Sequence, residues 1–222
     1  MPYRYKPSAE QQSDRERLGR LKRTDKDRYF HQLVTCNRLG ITDHGLLDDV
    51  ERTISGYRNI ELKEHFVPGN FDFDHLKTTH KFLFQDIYYF AGEIRSMDME
   101  IDSVTRFCPA RRIEQEGQRI FSKLAQDNYF KGLAKPEFIE KLADFMTDIN
   151  ILHPFRDGNG RSKRAFCVEL AMQAGYKLQF EKAADKKWLI ADEIAFDSSE
   201  DKNHGRDTSY LKILLEQAVS LI

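Results

Sequence analysis

The 222-residue chain lacks the features that mark secreted, membrane-bound and nucleic-acid-binding proteins. It has only three cysteines, Cys36, Cys108 and Cys167, which are widely spaced and form no C-x-x-C pair. This argues against a disulfide framework or a zinc site and is typical of free thiols in a reducing cytosol. No apolar run is long enough for a signal peptide or a transmembrane helix. The formal net charge of −1 gives no basis for general binding to nucleic acid or membranes. We therefore expect a cytoplasmic protein that contacts neither nucleic acid nor membranes, with a translocated effector as the alternative.

Charged residues are concentrated at the start of the chain. Residues 1–30 carry dense runs of Asp, Glu, Arg and Lys. A solvated surface segment and a partner-docking arm both fit this composition. Apolar residues between Gly40 and Gly56 recur at helical spacing behind a cap at Asp43. We therefore predict a charged helical extension over residues 1–60, followed by one domain over residues 61–222.

Helical spacing of apolar residues continues through residues 61–222 and predicts an all-α domain. A long helix should run from a cap at Asp72 to Gly92, and others over residues 113–124, 137–150 and about 160–175. Two C-terminal helices, over residues 187–195 and 209–222, should be joined by a polar segment at 197–208. Apolar and acidic residues alternate from Met97 to Asp102, which predicts a small β-hairpin between helices. Taken alone, this could be a plain surface hairpin.

A short loop between two of the predicted helices concentrates reactive side chains. Pro154 has no N–H and cannot continue the first helix, so His153 should lie where that helix ends. Gly158 and Gly160 allow positive φ and place no side chain between the backbone and a ligand. The N–H groups from Gly158 to Arg161 would then form an anion-binding nest at the positive end of the second helix.

The charged side chains of this loop indicate which anion it could bind. Arg161 and Arg164 lie three residues apart, so both should project near one face of the helix, where guanidinium groups suit the oxygens of a di- or triphosphate. Asp157 would be repelled by phosphates unless a divalent cation lay between them, which makes it a candidate Mg²⁺ ligand. His153 is placed to take a proton from an incoming hydroxyl. Plainer explanations are a capping histidine, an ordinary Asp-Gly turn and a solvated helix start. However, cations at a helix N-terminus oppose its dipole unless an anion binds there.

The loop resembles the signature H-x-F-x-[DE]-G-N-G-R-x-x-R of Fic-domain proteins. All eight specified positions match: His153, Phe155, Asp157, Gly158, Asn159, Gly160, Arg161 and Arg164. The resemblance implies a Fic-type helical bundle with a central helix–loop–helix active site and a small β-hairpin flap. It also implies transfer of AMP from ATP to a Ser, Thr or Tyr hydroxyl of a target protein. Because Gly160 and Arg161 are retained, the chain is unlike the Doc branch, whose altered loop makes a kinase.

The resemblance also assigns a role to each residue of the loop. His153 is expected to be the catalytic base, Phe155 to anchor the loop in the core and Asp157 to hold Mg²⁺. The residues expected to bind the phosphates of ATP are Gly158, Asn159, Gly160, Arg161 and Arg164. The resemblance covers about residues 65–180 and extends to the aromatic-Ala-Gly stretch that ends at Gly92.

The predicted hairpin corresponds to the Fic flap, whose open edge pairs with the backbone of the target. The residues expected to dock the target are Ser103, Val104, Thr105, Arg106 and Phe107. Many Fic proteins also carry an inhibitory helix with the pattern [ST]-x-x-x-E-[GN]. The one Ser/Thr-x-x-x-Glu match here, Ser96 to Glu100, is followed by Ile101 within the predicted flap. We therefore expect a toxin-like enzyme restrained by a separate small antitoxin protein, or an unrestrained enzyme. A Fic-like transferase with another nucleotide donor and a non-catalytic nucleotide-binding module are the alternatives.

Overall fold

A computed structural model describes residues 34, 36–99, 107–200 and 206–222, with the side chains of 197–200 left out. The described part contains seven α-helices: α1 His44–Glu64, α2 Phe73–Phe84, α3 Ile113–Gln126, α4 Lys135–Leu152, α5 Asn159–Gln173, α6 Asp185–Glu200 and α7 Ser209–Ala218. Two short strands, β1 Tyr176–Leu178 and β2 Val219–Leu221, pair antiparallel. Short 3₁₀ turns occupy Ala110–Arg112, Asn128–Phe130 and Phe180–Lys182. The predicted all-α class is confirmed.

Helix α4 is the centre of the bundle and contacts α3, α5, α6 and α7. Its apolar residues, including Phe138, Leu142 and Ile149, are buried in one large cluster. The helix therefore has little freedom to move against its neighbours, because tightly packed interiors resist displacement. This central position fixes the residue that follows the last turn of α4.

Helices α1 and α2 pack together over a second apolar cluster, which includes Leu47, Leu62 and Leu83. The predicted cap is confirmed, since the Asp43 side chain accepts a hydrogen bond from the N–H of Leu46. The predicted end at Gly56 is wrong, because α1 continues to Glu64 and so buries Leu62. The division predicted between residues 60 and 61 thus falls inside one continuous helix.

Two other predicted helix ends are also wrong. Helix α2 begins at its Asp72 cap as expected but ends at Phe84, and the chain then turns back so that the N–H of Gly92 meets His80. Helix α7 ends at Ala218, because the last residues pair with β1 and bury Val219. Helix α6 is longer than predicted and includes the start of the segment expected to be a polar loop.

The tip of the predicted hairpin, residues 100–106, lies outside the described residues. At its base, the N–H of Phe107 donates to the carbonyl of Met99 at 3.3 Å, so the two described ends of the predicted hairpin lie side by side. Among the described helices, none has the length and apolar character needed to cross a membrane.

Candidate active site

The site begins where α4 ends. His153 follows the last helical residue and adopts a left-handed backbone conformation, with φ 42° and ψ 61°, while its N–H donates to the carbonyl of Ile149 at 3.0 Å. This conformation is uncommon for a residue other than glycine. The His153 side chain is buried, and its ring stacks on that of Phe107 with 3.8 Å between centroids. The prediction that α4 stops before Pro154 is confirmed.

Asn159 closes the loop that follows. Its Oδ1 accepts from the N–H of Phe155 and its Nδ2 donates to the Phe155 carbonyl, both at 2.8 Å. The Phe155 ring is buried and stacks on His80 with 3.8 Å between centroids. The side-chain amide of Asn159 therefore braces the loop from within, while its backbone N–H belongs to the first residue of α5.

Glycine is required at one of the two loop positions. Gly158 has a φ of +75°, and a Cβ there would lie 2.4 Å from the Phe84 ring. Gly160 has no positive φ and lies in the first turn of α5, where, outside its own helix, a Cβ would meet no atom of the described residues within 4 Å. Because Gly160 has no side chain, the space beside the first turn of α5 stays open at this position. The N–H of Gly158 donates to Oδ1 of Asp157 at 2.6 Å, so a carboxylate oxygen lies at the predicted nest.

His80 holds the loop from below. Its Nδ1 accepts from the N–H of Gly92 at 2.8 Å, and its Nε2 donates to the carbonyl of Asp157 at 3.0 Å. Burial lowers the pKa of His80 to about 4, so the ring is neutral at physiological pH. Helical spacing in the sequence could not reveal this bond to a residue 77 positions away.

Two of the three cations at the start of α5 face the same space. Arg161 and Arg164 line a cavity of about 480 Å³ between α1 and α5. The guanidinium of Arg161 lies 4.6 Å from the centre of the Phe84 ring, and Nη1 of Arg164 lies 3.6 Å from Oδ1 of Asp185. Lys163 faces away, because its ammonium is buried 2.7 Å from Oδ1 of Asp192 in α6.

A glutamate that the sequence did not single out contacts Arg161. The Glu51 carboxylate, buried on α1, accepts hydrogen bonds from Arg161 and from the Tyr88 hydroxyl, while Arg161 also donates to Ser55 Oγ at 3.0 Å. Burial raises the pKa of Glu51 to about 7; the Arg161 charge opposes this rise and the Asp157 carboxylate adds to it. Glu51 does not match the inhibitory pattern, because residue 47, four positions earlier, is leucine and the pattern requires serine or threonine there.

The residues expected to dock a target divide into two sets. Ser103, Val104, Thr105 and Arg106 lie outside the described residues. Phe107 is described, is buried, and lies between His153 and Phe196, with 5.2 Å between the two phenylalanine ring centroids. Its ring is thus part of the wall beside the imidazole.

Known proteins are similar to this chain over a region that includes the loop from α4 to α5. The sequence model of the Fic/DOC family matches residues 70–171. The chain is 38% identical over 149 residues to protein adenylyltransferase VbhT of Bartonella schoenbuchensis, covering 67% of this chain and 31% of VbhT. It is 36% identical to "Probable protein adenylyltransferase Fic" of Salmonella typhimurium, covering 84% and 88% of the two chains. The protein of the same name from Escherichia coli is 40% identical, covering 72% of this chain and 78% of that protein. The chain thus spans about a third of VbhT and most of the other two relatives.

Solved structures give the same match in three dimensions. BepC, a VirB-translocated effector of Bartonella tribocorum with bound AMPPNP, aligns with a TM-score of 0.76 and 25% identity, covering 84% of this chain and 92% of that one. The N-terminal Fic domain of a Bartonella quintana Bep effector with bound ADP aligns with a TM-score of 0.77 and 25% identity, covering 83% and 90%.

Proposed function

Because the chain belongs to the Fic/DOC family, we propose that it is a protein adenylyltransferase, which moves AMP from ATP to a Ser, Thr or Tyr hydroxyl of a target protein. One observation carries the proposal. The loop from α4 to α5 carries an imidazole, a carboxylate and two guanidinium groups in one short stretch of chain, and the two guanidinium groups, those of Arg161 and Arg164, line a cavity of about 480 Å³.

In this reaction, His153 removes the proton from the target hydroxyl as the oxygen attacks the α-phosphorus of ATP, and pyrophosphate leaves. The backbone of His153 is fixed at the end of α4 and its ring is fixed against Phe107. A base held in one orientation contributes roughly 10²–10⁴-fold to the rate. The flap would align the target backbone, and Phe107 would close the side of the site next to the base.

The phosphates are held by the start of α5 and by the two arginines. The N–H groups from Gly158 to Arg161 lie at the positive end of the helix dipole, which favours an anion. Arg161 and Arg164 project into the cavity beside this helix end and supply the opposite charge. Each group binds charge that pyrophosphate carries away, so the loop stabilises the leaving group as well as the bound nucleotide.

Asp157 fits the Mg²⁺ that such a reaction uses. Its carboxylate is only partly buried and lies beside the helix start, where Oδ1 accepts from the N–H of Gly158 at 2.6 Å. A single carboxylate is enough, because protein-bound Mg²⁺ keeps several waters and takes its other ligands from substrate phosphates. The ion would neutralise phosphate charge when bound.

We further propose that a separate small antitoxin protein restrains the enzyme. The cavity that Arg164 lines has room for an acidic side chain from a partner, which would lie beside the Arg164 guanidinium and Asp185. Wild-type protein expressed alone should then slow cell growth, and the His153→Ala variant should not. Equal growth of cells expressing either protein would contradict toxicity.

The activity is tested by incubating the protein with a cell lysate and ATP labelled on the α-phosphate. His153→Ala should lower transfer of label to protein by about 10²–10⁴-fold, because the base is lost. Its affinity for Mg-ATP, measured by calorimetry, should stay within about twofold, since His153 lies outside the phosphate loop. The matched control is His65→Ala, an exposed histidine just after α1. Undiminished labelling by His153→Ala would remove His153 from the mechanism.

A further inference from the structure

A buried arginine lies beneath the site and takes no part in the chemistry described above. Arg95 is 1% exposed, and its guanidinium donates to four backbone carbonyls. Nε donates to His153 at 2.8 Å, Nη1 to Met97 at 2.7 Å, and Nη2 to Cys108 at 2.5 Å and Leu152 at 3.5 Å. No carboxylate is among these acceptors. Burial lowers the pKa of this arginine.

These four carbonyls come from two different parts of the site. Leu152 and His153 form the end of α4, which carries the catalytic base. Met97 and Cys108 belong to the segments 97–99 and 107–108, which we call the flap stems. We call the junction between these two parts the seam. A backbone bond also crosses it, because the N–H of Arg95 donates to the Pro154 carbonyl at 2.8 Å.

We infer that Arg95 is a positioning residue for AMP transfer: its guanidinium holds the backbone of the catalytic histidine and both flap stems in one fixed arrangement. This inference rests on the proposed function, since it assumes that His153 acts as a base on a hydroxyl aligned by the flap. Through Arg95, the flap stems and the end of α4 that carries the base are fixed to each other.

Arginine suits this role better than lysine does. Its guanidinium presents five N–H donors in a rigid plane, so one side chain can bond to carbonyls on both sides of a seam. A lysine ammonium has three donors and no fixed plane. A buried cation is tolerated here only because the carbonyl oxygens replace its hydration. If Arg95 only had to be neutralised by an ion pair, it would not need acceptors both at the end of α4 and in the flap stems.

The phosphate half of the site is held by other contacts. His80 bonds to the Asp157 carbonyl, and Asn159 bonds to both backbone groups of Phe155. None of these bonds involves Arg95. Loss of the Arg95 contacts should therefore disturb the base and the flap stems while ATP binding survives, a split that general destabilisation would not produce.

The test compares Arg95→Lys with the wild-type chain. Labelling of a lysate by α-labelled ATP gives the rate, calorimetry gives the affinity for Mg-ATP, and hydrogen exchange gives the protection of residues 93–99 and 107–112. The rate at saturating ATP should fall about 10²-fold, the loss expected when reacting groups move by about 1 Å. ATP affinity should stay within about twofold, and amide protection should fall in those two segments but not over residues 158–165. The control Leu214→Ala, a core truncation on α7, should lower thermal stability without this split.

Each outcome decides the matter. An unchanged rate in Arg95→Lys, or a rate and an ATP affinity that fall in proportion, would overturn the inference. Should Arg95→Lys fail to fold, Arg95→Gln is put through the same measurements. Failure of both to fold while Leu214→Ala folds would assign Arg95 to folding alone and reject the positioning role. Because the wild-type chain is labelled in parallel, absence of its activity would reject the proposed function, which is a different result from an active Arg95→Lys.

Discussion

Replacing Glu51 by glutamine should strengthen nucleotide binding. The Glu51 carboxylate bonds to Arg161, the guanidinium that the proposed mechanism assigns to phosphate. ATP must therefore compete with an anion that is already in place. Glutamine keeps a carbonyl that can accept from Arg161 or Tyr88 but removes the charge, so phosphate becomes the stronger partner.

The size of this effect follows from the type of bond that is lost. Hydrogen bonds that involve charged groups contribute about 1.5–3 kcal/mol. If binding of phosphate breaks this bond, Glu51→Gln should lower the Kd for Mg-AMPPNP by about 10- to 100-fold. The pKa of Glu51 is raised to about 7, so wild-type affinity should weaken as pH rises from 6 to 8 and the carboxylate ionises. The variant should lack this part of the slope.

Stability gives an independent readout with a defined sign. Burial raises the pKa of folded Glu51 above its ordinary value of 4.5 to about 7, so between these two values the folded chain binds a proton that the unfolded chain has lost. Unfolding then releases a proton, and the contribution of Glu51 to stability falls as pH rises through that window. The fall amounts to about 3 kcal/mol at about 1.36 kcal/mol per pKa unit. Glu51→Gln should abolish it in urea titrations.

Calorimetry at pH 6, 7 and 8 is the direct assay for binding. The matched control is Glu61→Gln on the same helix, whose carboxylate is exposed and pairs with Arg58. A Glu51→Gln variant that binds AMPPNP more weakly than wild type at every pH would refute the reasoning, because it would mean that Glu51 orients Arg161 for phosphate and does not compete with it.

Three further predictions concern the loop. Gly158→Ala should destabilise the fold by about 1–3 kcal/mol because of its positive φ and the contact with Phe84, whereas Gly160→Ala should leave the melting temperature unchanged; equal melting temperatures would contradict the geometry. The contribution of His80 to stability should rise by about 3 kcal/mol between pH 4 and 6.5, because the folded ring stays neutral while the unfolded one binds a proton; a His80→Gln chain with the same pH slope would disprove this. Asn159→Asp removes an amide donor to a buried carbonyl and should cost about 1–3 kcal/mol by urea titration, and a cost below that of Gly160→Ala would count against it.

Local signals in the sequence predicted the helix starts, the end of α4 and the turn that follows it. Asp43 and Asp72 cap α1 and α2 as their side chains predict, since a helix start depends on residues within one turn. Pro154 marks the end of α4 for an equally local reason. The glycine at 158 is needed for the turn itself. Such features need no knowledge of what packs against them.

Features that depend on distant contacts could not be predicted in this way. Glu51 lies 110 residues from Arg161, and its role is invisible until α1 packs beside α5. Lys163 looks like Arg161 and Arg164 in the sequence, yet it faces α6 because Asp192 lies there. Helical spacing alone also cannot show that residues 219–221 leave the helix to pair with β1, since the strand partner decides that outcome.

The backbone at His153 sets activity against stability. A helix that only needed to stop here would be better served by glycine, the usual residue for a left-handed position after the last turn. An imidazole in that conformation costs about 1–2 kcal/mol. The chain is therefore less stable at the residue that is expected to carry out the chemistry. The left-handed backbone also orients the His153 ring differently from the way a relaxed helix end would orient it.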